Sequence, residues 1–186
     1  MKHIAISNLP LSGLKLVTRP RQDDRRGFFS RVFCADELAV AGWSKPVAQI
    51  NHSASALCGT VRGMHFQHSP HAEMKLISCI RGEVWDVAVD VRADSPTFLQ
   101  WHAEHLSADN ARALLIPEGF AHGFQTLTDD VELLYCHSSA FTASAEGGLH
   151  PRDARLSIQW PLPISQLSAR DAAHPLIDAT FKGVRL

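Results

Sequence analysis

The chain has 186 residues, 45 % of them hydrophobic and 20 % charged, with a formal net charge of −1. That length suits one domain with a sizeable core, and the charge balance gives no bulk attraction for nucleic acid or a membrane surface. No apolar run approaches the roughly 20 residues of a membrane span, the opening MKHIAISNLP lacks a long apolar signal region, and Cys34, Cys58, Cys79 and Cys136, without CxxC spacing, read as reduced thiols of a cytoplasmic protein.

Short strands punctuated by Gly, Pro, Asn and Asp dominate the pattern. In chain order they are expected at Leu14–Val17, Phe28–Val32, Val47–Asn51, Val61–Phe66, Leu76–Arg81, Glu83–Val91, Leu99–Leu106, Ala113–Ile116, Gly123–Leu127 and Glu132–Ser138. One short helix is expected at Ala35–Val40, ended by Gly42, and Ser168 to Asp171 suggests a helix start in the tail. A turn is expected at Ile80 to Glu83. So many strands in a chain of this length argue for an antiparallel barrel or jelly roll enclosing a cavity. The expected organisation is a single domain over 1–186, with a β core at about 15–160 and a helical C-terminal segment at about 161–186.

The chemistry concentrates between Val61 and Asp90, which holds Arg62, His65, Lys75 and Asp86. Side chains two apart on a strand share a face, so cations and an imidazole can point into one cavity, hold an anion and move a proton. Asp86 lies in a strand that alternates Val84, Asp86, Ala88 and Asp90 against Trp85, Val87 and Val89, and an inward acid needs a partner. Arg26, Arg62, Lys75 and Arg170 read either as phosphate contacts or as solvated strand ends. Tyr135, the one tyrosine, reads either as a core aromatic or as a cavity hydroxyl.

Pro117 to His122 gives a PxGxxH pattern that resembles the second motif of the cupin superfamily. A metal-binding cupin would draw ligands from His65, His71, Glu73 and His122, but the HxH of the first motif is missing, since Phe66 and Gln67 follow His65. His68 and His71 read as a surface loop around Pro70.

Taken together, Arg26-Gly27-Phe28-Phe29, Gln49 to Ser53, Val61 to Gln67, Lys75-Leu76, Asp86 to Arg92, Ser95 to Phe98, Ile116 to Phe124, Tyr135, Trp160-Pro161 and Ser168 to Asp171 resemble the dTDP-4-dehydrorhamnose 3,5-epimerase family from about residue 15 to 178. The resemblance implies a cupin jelly-roll homodimer that needs no cofactor or metal and acts on a nucleotide-diphosphate 4-keto-sugar. It implies His65 as base, Asp171 as its paired carboxylate, Tyr135 as the opposing acid and Lys75 beside the C4 oxygen. Arg26 and Arg62 would contact the diphosphate, Phe29, Gln49 and Asn51 would line the nucleotide site, and His122 and Arg170 would complete the cavity. A non-catalytic carbohydrate- or nucleotide-binding cupin and a metal-dependent cupin enzyme stand as alternatives. The chain departs from the family pattern at Arg31, where a glutamate is usual, at Ala140-Phe141 in place of a tyrosine pair, at His150 in place of a tryptophan and at Arg170 in place of a lysine.

Overall fold

The computed structural model describes residues 3–186. The strands are β1 (Ala5–Asn8), β2 (Lys15–Thr18), β3 (Arg21–Asp24), β4 (Gly27–Ser30), β5 (Gln49–Ser55), β6 (Thr60–Gln67), β7 (Lys75–Arg81), β8 (Glu83–Asp90), β9 (Trp101–Ser107), β10 (Arg112–Ile116), β11 (Phe120–Thr126), β12 (Val131–His137), β13 (Glu146–Gly148) and β14 (Gln166–Leu167). The helices are α1 (Ala35–Ala39), α2 (Ala169–Ala172) and a 3-10 turn at Ala143–Ala145. One sheet runs β1-β2-β10-β7-β12-β5 and the other β13-β6-β11-β8-β9, with β14 also on β6. All these pairs are antiparallel except β14 on β6. This is the jelly roll that the strand pattern calls for.

Three apolar layers explain the unbroken hydrophobic runs. On β10, Leu114 and Ile116 enter a core between the sheets with Ile77, Val84, Phe124 and Leu133. Their neighbours Ala113 and Leu115 face the other way, onto Leu38 and Trp43 around α1. On β8, Val84 and Ala88 face the inner core, whereas Val87 and Val89 pack under Leu149, Leu156, Ile158 and Ile177. A strand covered on both faces needs no polar alternation, and its carboxylates must be paired. Asp86 and Asp90 are both fully buried. Asp86 accepts from His122, and Asp90 accepts from Arg92, Ser95 and Thr97.

Several expectations are corrected. The tail is not helical: α2 is a single turn, and Pro161, Pro163 and Pro175 interrupt any longer helix. The rest of the segment lies irregularly along the second sheet, where Ile177 and Val184 close the third core layer. Strand β11 begins at Phe120, three residues before the expected start, which brings His122 into the ladder. The turn at Gly82 is present as expected, with φ of +70°, and because β7 and β8 belong to different sheets it forms a corner between them. A Cβ there would stand 2.6 Å from Thr128 Oγ1. Strands β1, β3, β13 and β14 were not legible because they are too short to show a period, and β13 is glycine-rich; β3 contains no apolar residue and exists by pairing with β4.

Candidate active site

A cavity of about 420 Å³ opens between the sheets, within the range of small-molecule sites. Strands β6, β7, β11 and β12 deliver His65, Lys75, His122 and Tyr135 to its wall. Register sets this up: His65 lies opposite His122, and Lys75 lies opposite His137. Gly63 makes the close approach of β6 and β11 possible. At φ of +129°, a Cβ on it would sit 2.5 Å from the Cα of Gly123.

Asp171 stands behind His65, on the first turn of α2, whose N-cap Ser168 Oγ accepts its backbone N–H. Its carboxylate accepts from His65 Nε2 at 2.7 Å and from the Gly63 N–H at 3.2 Å. Burial raises its pKa, but the hydrogen bond and charge of His65, with the Gly63 and Ser168 contacts, outweigh this and pull it down to about 2. With Nε2–H held by an ionised carboxylate, His65, on the cavity wall, keeps an Nδ1 that has no partner among the described residues. That nitrogen can take a proton.

Lys75 is buried against Glu73, Nζ to Oε1 3.0 Å, and donates to the backbone carbonyl of His65 at 3.0 Å. Gln67 donates to the other Glu73 oxygen at 2.7 Å. The ammonium is thus fixed beside the imidazole. The Tyr135 hydroxyl lies 3.1 Å from Ser53 Oγ. Burial, followed by the nearby Asp86 charge, raises the phenol's pKa despite the Ser53 bond, so it is protonated at neutral pH and carries a proton to give. His122 donates to Asp86 Oδ1 at 2.8 Å and meets Tyr135 edge-on, with ring centroids 6.1 Å apart.

Arg62 lines the same cavity, with Nε on Ser55 Oγ and one Nη on the Ala54 carbonyl. Asn51 lines it too, and Gln49 stands behind in an adjoining recess. Arg170 sits at the mouth, bonded to Glu146 Oε1 at 3.1 Å with a second Nη 3.3 Å from His65 Nε2. Both nitrogens carry protons when Asp171 holds His65, so that last approach is a close contact and no hydrogen bond.

The chain does not bring every expected residue together. Arg26 and Phe29 stand on the β3–β4 hairpin, outside the cavity. The Arg26 side chain is 86 % exposed and pairs with Asp24 at 2.5 Å, while Phe28 and Phe29 are each 59 % exposed. Arg31 pairs with Glu37 at 2.5 Å, so its charge is matched within the chain. The four metal-ligand candidates also separate: His65 goes to Asp171, His122 to Asp86, Glu73 to Lys75, and His71 to Thr142. Among the described residues, the donor atoms that do converge are those of His65, Asp171 and His174.

Sequence reasoning missed Glu73 as the partner of Lys75, and it missed Ser53, Phe141 and His137 in the cavity lining. Period two would have found His137, which shares a strand face with Tyr135. The same rule would have found Ser53, which shares a face of β5 with Gln49 and Asn51, whereas Phe141 follows β12 outside any strand and gives no such signal.

A jelly roll with an imidazole–carboxylate pair, an ammonium and a phenol around one cavity defines a cupin-type carbohydrate isomerase. The family model for dTDP-4-dehydrorhamnose 3,5-epimerase matches residues 8–179, and the chain belongs to that family. It is 45 % identical over 157 residues to the dTDP-4-dehydrorhamnose 3,5-epimerase of Salmonella typhimurium, covering 83 % of this chain and 85 % of the relative. It is 38 % identical to the dTDP-4-dehydrorhamnose 3-epimerase of Streptomyces niveus, covering 88 % and 79 %. The crystal structure of the Legionella pneumophila 3,5-epimerase in complex with dTDP-4-keto-L-rhamnose aligns with a TM-score of 0.91 at 39 % identity, covering 99 % of each chain.

Proposed function

We propose that this chain inverts C3, C5 or both of a dTDP-4-keto-6-deoxyhexose by proton transfer without a cofactor. The observation that carries the reading is the His65–Asp171 pair at 2.7 Å sharing one cavity with a protonated Tyr135 and a buried Lys75. His65 Nδ1 takes the proton from the carbon beside the ketone. The C–H electron pair forms the enolate, with the charge on the C4 oxygen. Lys75 stabilises that charge, and Asp171 stabilises the imidazolium. Tyr135 O–H then gives a proton to the opposite face. Solvent reloads the phenolate and accepts the proton that His65 holds, so the enzyme returns to its starting state.

Arg62 holds the diphosphate, while Gln49, Asn51 and Phe141 line the nucleotide side, and His122 and Arg170 line the sugar side. Arg26 and Phe29 act in a homodimer, where the exposed β3–β4 hairpin of one protomer reaches toward its partner's cavity. The four free thiols support a reducing compartment, the cytoplasm. Among the described residues no helix is long and apolar enough to cross a membrane. The product would feed cell-surface polysaccharide synthesis.

The test is deuterium incorporation from heavy water into a panel of nucleotide 4-keto-sugars, followed by NMR. Label and inverted configuration at C3, C5 or both of the dTDP sugar are expected. Absence of exchange on every 4-keto-sugar would sink the reading.

A further inference from the structure

His137 is a half-buried histidine on the cavity wall, stacked on Tyr135 with ring centroids 6.1 Å apart and planes 12° from parallel. A one-way chain of hydrogen bonds fixes which of its nitrogens carries the proton. It begins at a backbone donor, the Phe141 N–H, so the Gln49 atom 2.9 Å away must be the carbonyl oxygen. The Gln49 amide nitrogen is then a donor, and 2.9 Å from it the Asn51 atom must be the acceptor oxygen. That leaves the Asn51 amide nitrogen as a donor, 3.4 Å from His137 Nε2. A nitrogen facing a donor must accept. A neutral imidazole that accepts at Nε2 carries its proton at Nδ1.

The ring is neutral for a separate reason. Burial, then the Lys75 and His122 charges, push its pKa down to about 4. Nδ1–H has no partner among the described side chains and belongs to a ring that lines the cavity. On the ladder between β7 and β12, His137 lies directly opposite Lys75.

We propose that His137 is a neutral hydrogen-bond donor to substrate, presenting Nδ1–H beside the Lys75 ammonium to the carbonyl oxygen on which the enolate charge develops. This rests on the epimerase reading above. A second donor at that oxygen strengthens as charge builds, whereas a second cation beside Lys75 would be repelled; a neutral imidazole supplies the first without the second. The Gln49–Asn51 pair acquires a further task, holding the imidazole in its donating tautomer.

Two measurements test it. The first is NMR of the full-length enzyme with ¹⁵N-labelled histidine at pH 7, His137 being assigned by the signal that His137→Gln removes. A proton on Nδ1 and none on Nε2 is expected; a proton on Nε2 overturns the proposal whatever the activity. The second is the rate of deuterium exchange in three variants. His137→Phe keeps the stacked ring and removes the donor, and a fall in kcat of about 10-fold to 10³-fold with KM changed less than 3-fold is expected. An asparagine amide nitrogen lies where Nδ1 stood, and a glutamine reaches the position of Nε2. His137→Asn should therefore recover at least 10-fold over His137→Phe, and His137→Gln should not. Equal rates in the Asn and Gln variants, or an undiminished rate in His137→Phe, overturn the donor role while leaving the epimerase reading standing. If the wild-type enzyme exchanges no 4-keto-sugar proton, the epimerase reading and the donor role fall together, and the tautomer stands alone. Should His137→Phe fail to fold, the tautomer and the Asn–Gln contrast still decide.

Discussion

At the scale of single residues, base and acid have different environments, and so they are separable. His65 is held by an ionised partner, while Tyr135 is held by a hydroxyl and by burial. His65→Ala should abolish both solvent exchange and inversion. Tyr135→Phe keeps ring volume, base and ammonium, so inversion should fall about 10²–10⁴-fold while exchange on the original face falls less. Proton NMR in heavy water follows both at once, and an equal loss of both would make Tyr135 structural. Arg62 already spends two nitrogens on Ser55 and Ala54 and so is oriented before any ligand arrives. A charge-assisted contact is worth about 1.5–3 kcal/mol, so Arg62→Ala should weaken dTDP binding at least roughly tenfold by calorimetry. An unchanged dissociation constant would remove it from the site.

At the scale of elements, the β3–β4 hairpin is the anomaly. Two consecutive phenylalanines, each 59 % exposed, face opposite sides of a two-stranded ribbon that belongs to neither sheet, so each face of it carries an exposed aromatic. An isolated hairpin is marginal in water, and paired exposed aromatics mark an interaction surface. The N-terminal segment offers no comparable surface, since its Ile4, Leu11 and Leu14 are buried in the chain's own core. A dimer built through the hairpin should scatter light as twice 20.5 kDa at micromolar concentration, and Phe29→Asp should shift it toward monomer. A wild-type monomer under those conditions would contradict this. In the inner core, Leu133 is fully buried between the sheets. Leu133→Ala should cost about 2–5 kcal/mol in urea unfolding.

At the scale of the whole molecule, His137 on the cavity wall and Asp171 paired behind it set opposite edges of an acid limb. Asp171 is depressed to about 2 in the folded state. It contributes about 2 kcal/mol that is fully present above its unfolded pKa of about 4 and lost as the pH falls through about 2. His137 stays neutral down to about 4 when folded, whereas an unfolded histidine protonates near 6.5. Stability therefore declines as the pH drops from about 6.5 toward 4. Urea melts at pH 7 and pH 4.5 should show this as a loss of about 2 kcal/mol in the wild type that His137→Phe lacks. A parallel loss in both proteins would place the titration elsewhere.

The sequence by itself determined the class of fold and the identity of the chemical groups. Ala113 to Ile116 and Glu83 to Val91 read as strands, and Arg62, His65, Lys75, Asp86, His122, Tyr135 and Asp171 are the residues found around the cavity or paired behind it. Alternation and turn residues act over a few positions, and a strand's two faces follow from them locally. The tertiary structure alone decided which groups meet. His65 and Asp171 are 106 residues apart, Ser53 and Tyr135 are 82 apart, and the donor chain from Phe141 to Gln49 spans 92. These contacts follow from strand order and register, which place β7, β12 and β5 side by side. The strand-order information lies in how whole faces pack, so no single segment carries it, and the hairpin that bears Arg26 and Phe29 lies outside even that packing.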